Sequence, residues 1–410
     1  MVDFTALADV LNKDIMPSVK VQVYERAPMW QIFGGFKADA NAFAESQVYD
    51  GTTPQVEFKN NLIYVTIQTG RPANTSIGVG NSFIYGTVPT AQGYLGISTP
   101  VGAFLIPKQV MKMKSDGAIV NTVQWNMEAS VNSLAMDLNR QCYGDGSATL
   151  AYASPSGTGQ TINLVPKATA STLYNNDIPL AVRYFPIGTV ISVGGDARTK
   201  VTAITGDNQI TVADSQTWSN YDAIVKYDGS DEIASEMTGL GAIVDDSSIY
   251  MAINPSAEAT WKAYKNTNSG SAKTFVKGDF NHAYNRANVT GKVKFLAMNM
   301  TEFEKYGESL TDLVRFQKSD ILAGGWNGLD FMSGQAKILM DSDCPDDRVY
   351  FLSPEELMRA ELQPLEFEAG TLQGGQRLAG TLNFEMVCDT MCNIATAKRS
   401  AHSVLTNRVG

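Results

Sequence analysis

Residues 115–144 read SDGAIVNTVQWNMEASVNSLAMDLNRQCYG, and the fold turns on them. Ile119, Val120, Val123, Met127, Val131, Leu134, Leu138 and Cys142 recur mostly at steps of three and four, the spacing of one helical face. Asn121, Gln124, Glu128, Asn132 and Asn139 fall on the other faces, so one long amphipathic helix is expected from Ser115 to Cys142. At 1.5 Å per residue it runs roughly 40 Å. Asp116 suits its positive N-terminal end and Arg140 the opposite one. Gly144 follows the last periodic residue as a stop.

Upstream the chain changes character. Leu62 to Thr69 is β-branched and aromatic and reads as a strand, ended by Gly70-Arg71-Pro72. Asn74 to Gly93 is rich in Gly, Ser, Thr and Asn, and extended chain resumes from Tyr94 to Leu105. The pattern predicts a large hairpin-like loop, and a loop of that length within a compact chain is usually functional or disordered. Residues 1–36 hold two apolar-patterned pieces, with Phe4, Leu7, Ala8 and Leu11 on one helical face before Pro17 and a second piece around Pro28. They read as an arm with fragments of helix.

Downstream, 189–193, 200–204, 209–213 and 223–226 are short strands, with turns at Gly194-Gly195-Asp196 and Gly206-Asp207-Asn208. They predict a small antiparallel sheet or barrel, bordered by the small polar segment Ala153 to Gln160. From 231 to 360 helical and strand signals alternate. Pro255 to Lys265 is a helix candidate, and 301–314 is another with Thr301 as cap and Glu304 three residues on. Strands are expected at 292–298, 337–340, 349–352 and 382–386, and a short helix at Ser353-Pro354-Glu355-Glu356.

Composition and motifs exclude several function classes. Hydrophobic residues are 44% and charged residues 18% of 410, so the chain is not broadly disordered. A net charge of −10 is a poor match to a protein that grips nucleic acid by its phosphates. No apolar run is long enough to span a membrane, and the acidic N-terminus lacks the basic region of a signal peptide. Four cysteines make no disulfide scaffold, and Cys388-x-x-x-Cys392 has no zinc spacing. A soluble, reduced, intracellular chain is expected. Only His282 and His402 are available for histidine chemistry. No nucleophile elbow, zinc-protease motif or P-loop occurs. Gly78-Val79-Gly80 lacks the third glycine of a dinucleotide loop, and Trp125, Trp261 and Trp326 read as core or contact residues. Asp341 to Asp347 has Asp346 where a calcium loop needs glycine and Leu352 where it needs glutamate, so it reads as a solvated acidic turn. No catalytic, metal or cofactor residue is assigned.

The order of arm, extended loop, long helix, β-rich insert, mixed α+β region and returning strand resembles the major capsid protein of tailed bacteriophages, the Hong Kong 97-type α+β fold. Tyr143-Gly144-Asp145-Gly146-Ser147 resembles the end of that family's spine helix, and 236–243 (EMTGLGAI) its entry into the axial domain. Residues 328–331, 337–341 and 347–352 resemble its later strands. The resemblance implies an N-terminal arm at 1–50 and an extended E-loop at 51–107. It implies a P-domain at 108–149 and 351–410, an inserted β-rich module at 150–230, and an A-domain at 231–350. It implies self-assembly, without catalysis, as pentamers and hexamers into an icosahedral shell enclosing double-stranded DNA without sequence-specific binding. Implied partners are other copies of the chain, a portal, and a separate scaffolding or decoration protein. The implied setting is a virion assembled in the host cytoplasm, with no membrane and no cofactor. Between Lys59 and Lys108 no lysine occurs, which argues against covalent cross-linking through the loop tip. Because the chain starts almost at the arm, any scaffolding is expected to be separate or removed.

Contact residues follow from charge and cover. Lys59, Arg71, Lys108, Lys112 and Lys114 are the only charged residues from 59 to 115. A basic loop laid on an acidic neighbour offsets repulsion between subunits of net −10. Candidate partners are Glu128 and Asp137 of the helix, or Glu361, Glu366 and Glu368. Phe83, Ile84, Tyr85 and Leu95 are apolar residues expected to need a neighbour's cover. Two alternatives stand beside this reading. One is the shell of a cellular nanocompartment of the same fold. The other is an unrelated hydrolase using Asp245 with Asp246 or Glu355 with Glu356, weakened because adjacent residues rarely face each other across a substrate.

Overall fold

The computed structural model describes residues 26–34, 47–49, 56–68, 89–107, 116–166, 180–227, 236–271, 273–311, 320–322, 326–331, 336–367, 376–377 and 383–408. Helix α1 (Pro28–Gly34) is followed by helix α2 (Asp116–Tyr143), whose bounds lie within a residue of those the periodicity predicts. Val131, Leu134, Ala135, Leu138 and Cys142 bury its inner face. Gly144 closes it, donating its N–H to Gln141 O at 3.0 Å.

Beneath α2 lies a sheet in the order β1 (Gln47–Tyr49), β18 (Leu357–Phe367), β20 (Asn383–Thr396), β19 (Gln376–Arg377), with β5 (Val101–Pro107) paired along β20. Leu134 stands over Gly102 of β5, where any β-carbon would lie 3.3 Å from its methyl group. Ser130 Oγ donates to Ala103 O at 3.1 Å beside it. The extended chain expected from Tyr94 to Leu105 is therefore two strands serving two sheets. The first is β4 (Thr90–Gly96), paired with β3 (Leu62–Gln68), which pairs in turn with β2 (Val56–Lys59). The tip between β3 and β4, with Arg71, Phe83 and Tyr85, lies outside the described residues.

The β-rich region expected at 150–230 holds a closed barrel in the order β10-β7-β6-β11-β8-β9. Its strands are β6 (Thr149–Ala153), β7 (Gly157–Val165), β8 (Val190–Val193), β9 (Thr199–Gly206), β10 (Gln209–Trp218) and β11 (Asp222–Lys226). Four of these match the strands expected from sequence. The polar segment Ala153 to Gln160, expected to be a border, is instead the β6–β7 turn and the start of β7. Only Ile162 and Leu164 of β7 face the barrel core, so its sequence carried little apolar signal. The short helix α3 (Leu180–Tyr184) plugs one side with Leu180 and Ala181.

The third body is a seven-stranded sheet. Its order is β12 (Tyr264–Asn266), β21 (Ser403–Leu405), β17 (Val349–Leu352), β13 (Phe295–Met298), β16 (Ala336–Met340), β15 (Trp326–Phe331), β14 (Asp320–Leu322). Residues 403–405, expected with the C-terminal strands of the P-domain, pair instead with β17 and β12 here. The helix expected over Pro255 to Lys265 is absent. A turn, one 3-10 turn at Ala259–Trp261 and β12 replace it, because Trp261 packs flat on Tyr250, ring centroids 6.3 Å apart. The Ser353–Glu356 segment is likewise a 3-10 turn rather than a helix turn proper.

Two helices cover this sheet: α5 (Lys277–Asn288), which the sequence reading missed, and α6 (Met300–Thr311). Phe280, Ala283, Tyr284 and Ala287 give α5 a regular buried face. Thr301 lies inside the first turn of α6 rather than capping it, since Asn299 O already accepts the Phe303 N–H at 3.0 Å. Helix α4 (Leu240–Ile243) crosses the end of α2 so closely that a β-carbon on Gly239 would collide with the carbonyl oxygens of Gln141 and Cys142.

Candidate assembly surfaces and the polar hub beneath them

The β3–β4 ribbon has two unlike faces because its strands alternate. Ile63, Val65, Ile67 and Leu95 point inward and join the largest core cluster. Gly93 lets Met251 approach, and Tyr94 N–H donates to Met251 O at 3.3 Å. On the outer face Tyr64 and Tyr94 form a cross-strand pair with centroids 6.1 Å apart, Tyr94 being 48% exposed. The ribbon's root is thus fixed to its own chain. Leu95 is 8% exposed within the chain, so it needs no neighbour's cover, contrary to expectation.

Helix α1, a described part of the expected arm, is fixed as well. Met29, Trp30, Ile32 and Phe33 of α1 are buried. The Arg359 guanidinium stacks 4.1 Å from the Trp30 ring centroid, and Met29 N–H donates to Asn139 Oδ1 at 3.0 Å. A buried cation over indole is among the stronger non-bonded contacts.

Asn139, assigned above to an outer face of α2, is 1% exposed and is the hub of the molecule. Its amide donates to Asp341 Oδ1 and Oδ2 at 3.1 and 3.0 Å and to Asp343 Oδ2 at 2.6 Å. Tyr143 OH donates to Asp341 Oδ2 at 2.9 Å. Arg183 Nε and Tyr184 OH of α3 donate to Asp343 Oδ1 at 2.9 and 2.8 Å. The acidic turn read as solvated is therefore buried, and it joins arm, spine helix, barrel and seven-stranded sheet. Burial, then the charge of Asp343, pushes the Asp341 carboxyl up to about 6, against the hydrogen bonds it accepts. Among the described residues, no group of three His, Cys, Asp or Glu side chains could hold a metal ion. Nor is any helix long and apolar enough to cross a membrane.

The other charges expected at subunit contacts fall unevenly. Lys59 is exposed at the end of β2. Glu128 is half-buried on α2. Asp137 is already occupied, by Arg140 at 2.8 Å and Lys226 at 3.0 Å. Burial works against its charge, but those two cations hold its carboxyl well below the usual carboxylate range. Arg140, expected to serve the helix dipole, also grips Glu236 and is buried. Glu361 is paired with Arg359 at 2.8 Å, and Glu366 is half-buried. Glu368, Lys108, Lys112 and Lys114 lie outside the described residues.

The two histidines differ in setting. His402 is fully buried, its Nδ1 accepting Ser353 N–H at 3.3 Å, and burial pushes it down to about 3. His282 meets Tyr264 OH at 3.0 Å. All four cysteines are buried, and Cys142, Cys344 and Cys392 have thiols raised by that burial.

No family model matches the sequence, and no curated protein matches it. Solved structures similar to this chain are capsids and shells. The capsid of cyanophage A-1(L) is similar at 10% identity over 92% of this chain and 96% of that one, with a TM-score of 0.48. The SrpI encapsulin of Synechococcus elongatus is similar at 7% identity over 78% of each chain, with a TM-score of 0.43. The capsid of a native GTA particle is similar at 10% identity over 86% of each chain, with a TM-score of 0.41.

Proposed function

We propose that the chain is the subunit of a closed icosahedral shell, a major capsid protein of the Hong Kong 97 type that encloses double-stranded DNA and carries out no catalysis. The observation that supports it most is the division of labour in the chain. Helix α1, ribbon root, spine helix and two sheets are locked into one another through buried contacts, while the outer face of the ribbon carries the Tyr64–Tyr94 aromatic pair, with Tyr94 exposed. A rigid body with an extended ribbon suits lateral contact with copies of itself, and the subunits of such a shell occupy pentamers and hexamers. The described titratable groups act as struts. Asp137, Asp341, Asp343 and Arg140 each bind other side chains of the chain.

The runner-up is a nanocompartment shell, which differs in cargo rather than in architecture. Particles purified from the native host and treated with nuclease decide between them. Protected double-stranded DNA of uniform length is the result expected. Particles filled with a folded enzyme and free of DNA would favour the compartment, and a chain that never forms particles would remove both readings.

A further inference from the structure

The barrel has a hydrophobic core of its own, separate from the two clusters that build the sheets. Its two connections to the rest of the chain lie side by side. Val225 pairs with Thr149, and Lys226 N–H donates to Ala148 O at 2.9 Å. At the same root Lys226 Nζ reaches Asp137 of α2 at 3.0 Å. Gly146 and Ala148, where the chain enters, hold φ values of +84° and +57°. A body joined through two adjacent strands has a natural axis at that root.

Beside the root, where Arg183 and Tyr184 line one cleft with Asp137 and Lys226, polar contacts from α3 cross to the 341–343 turn. Arg183 Nε and Tyr184 OH hold Asp343 Oδ1, and Arg183 Nη2 donates to Ser342 Oγ at 2.7 Å. Open space flanks this contact on both sides. One cleft of about 130 Å³ is lined by Tyr143, Tyr152, Leu180, Tyr184 and Asp343, and another of about 210 Å³ by Val101, Ser130, Leu134, Arg183 and Tyr184. An interface between bodies that is polar and bordered by voids permits relative motion.

We propose that Arg183 and Tyr184 form a releasable latch, with Asp343 as its catch, that fixes the barrel at one angle on the spine helix. The catch is stiff: Asn139 holds Asp343 Oδ2, and Asp343 N–H donates to Asp341 Oδ1 at 2.9 Å. The moving half is the partly exposed Arg183 side chain, 21% accessible against 2% for Asp343. On release the guanidinium passes into water, and Asp343, which keeps the Asn139 amide, has to be met by water in the space that the barrel leaves, since a buried carboxylate without its cation is costly. Lys226 and the paired strands remain as the pivot. The consequence rests on the shell reading: a barrel with two angles lets one sequence meet neighbours at more than one spacing.

The test uses the full chain with spin labels on Ala129→Cys of α2 and Lys200→Cys of the barrel, both exposed, since the four native cysteines are buried. Label-to-label distances are measured by pulsed electron resonance, with amide exchange of β7 and β10 in parallel. The parent should give one narrow distance. Arg183→Ala with Tyr184→Phe should broaden it or add a second distance while exchange protection in β7 and β10 is unchanged, and Arg183→Lys should restore most of the parent distribution. A distribution that stays narrow in the double variant overturns the latch. So does loss of protection in β7 and β10, which would make the two residues part of the barrel's own stability. If the latch opens as described yet neither protein forms particles, the latch stands and the shell reading fails.

Discussion

Asn139 shows how much can hang on one amide. Its carbonyl oxygen takes the arm's Met29 N–H while its nitrogen serves both Asp341 and Asp343. Asn139→Leu keeps the volume but strands the Met29 N–H and takes a hydrogen bond from each of Asp341 and Asp343 in a dry site, so a loss of about 3 kcal/mol or more is expected in urea unfolding. Nothing in the periodicity marked this residue, because a lone polar position on an amphipathic helix looks the same whether it meets water or a buried carboxylate. The same limit hid the acidic turn: four aspartates in seven residues read as solvated, and only the facing Asn139, Tyr143, Arg183 and Tyr184 make burial tolerable. Asp341 has a pH signature. Its carboxyl sits near 6 in the folded state and at an ordinary 3.8 unfolded, so between those values the folded state binds more proton. Stability from this group is therefore full below about pH 4 and falls as pH rises through about 6, by an amount on the order of 2–3 kcal/mol. His402 runs the other way, since a folded value near 3 loses stability as pH falls below about 6.5. Denaturation midpoints recorded from pH 4 to 7 should show Asp341→Asn gaining on the parent toward neutrality and losing toward acid. A constant difference across that range would contradict the assignment.

Elements were legible where their period was strong and their surroundings simple. Helix α2, ribbon strand β3 and four barrel strands came through because apolar residues recur regularly there. Strand β18 escaped because Arg359, Glu361 and Pro364 interrupt its pattern, although Arg359 is buried over Trp30. Helix α5 was readable in principle from Phe280, Ala283, Tyr284 and Ala287, but its charged remainder masked it. The junction of α4 with α2 depends on Gly239, whose missing side chain lets two backbones touch. Gly239→Ala should cost about 1–3 kcal/mol or more through forced separation of the elements, read as a lowered melting temperature; an unchanged melting temperature would mean the two elements part freely. Because α1 is buried in the core, removing residues 1–36 should destabilise the subunit itself, read as a lowered melting temperature. An unchanged melting temperature would show that α1 contributes nothing to the folded body.

At the scale of the molecule, the proposed shell requires subunits of net −10 to meet without repelling one another, and the basic run from Lys59 to Lys114 is the offset proposed for it. Structure narrows the acids available to it, since Asp137 and Glu361 already have partners in their own chain. Arg71→Glu should assemble poorly at low salt and recover as salt screens the new repulsion; light scattering against ionic strength checks this, and parent-like assembly at every salt concentration would leave the ribbon held by apolar and backbone contacts. The order of the elements was the part of the whole that sequence conveyed, while the polar hub that binds the bodies together came only from their packing. Sedimentation velocity of the purified full chain distinguishes a closed shell from a free subunit. Sixty copies of a 44.3 kDa chain exceed about 2.5 MDa, so a closed shell runs as a discrete boundary at or above that mass. The account predicts such a boundary, with hollow particles of uniform diameter in electron micrographs of the same fraction. A chain that sediments only as monomers and small oligomers across salt, pH and concentration would contradict it.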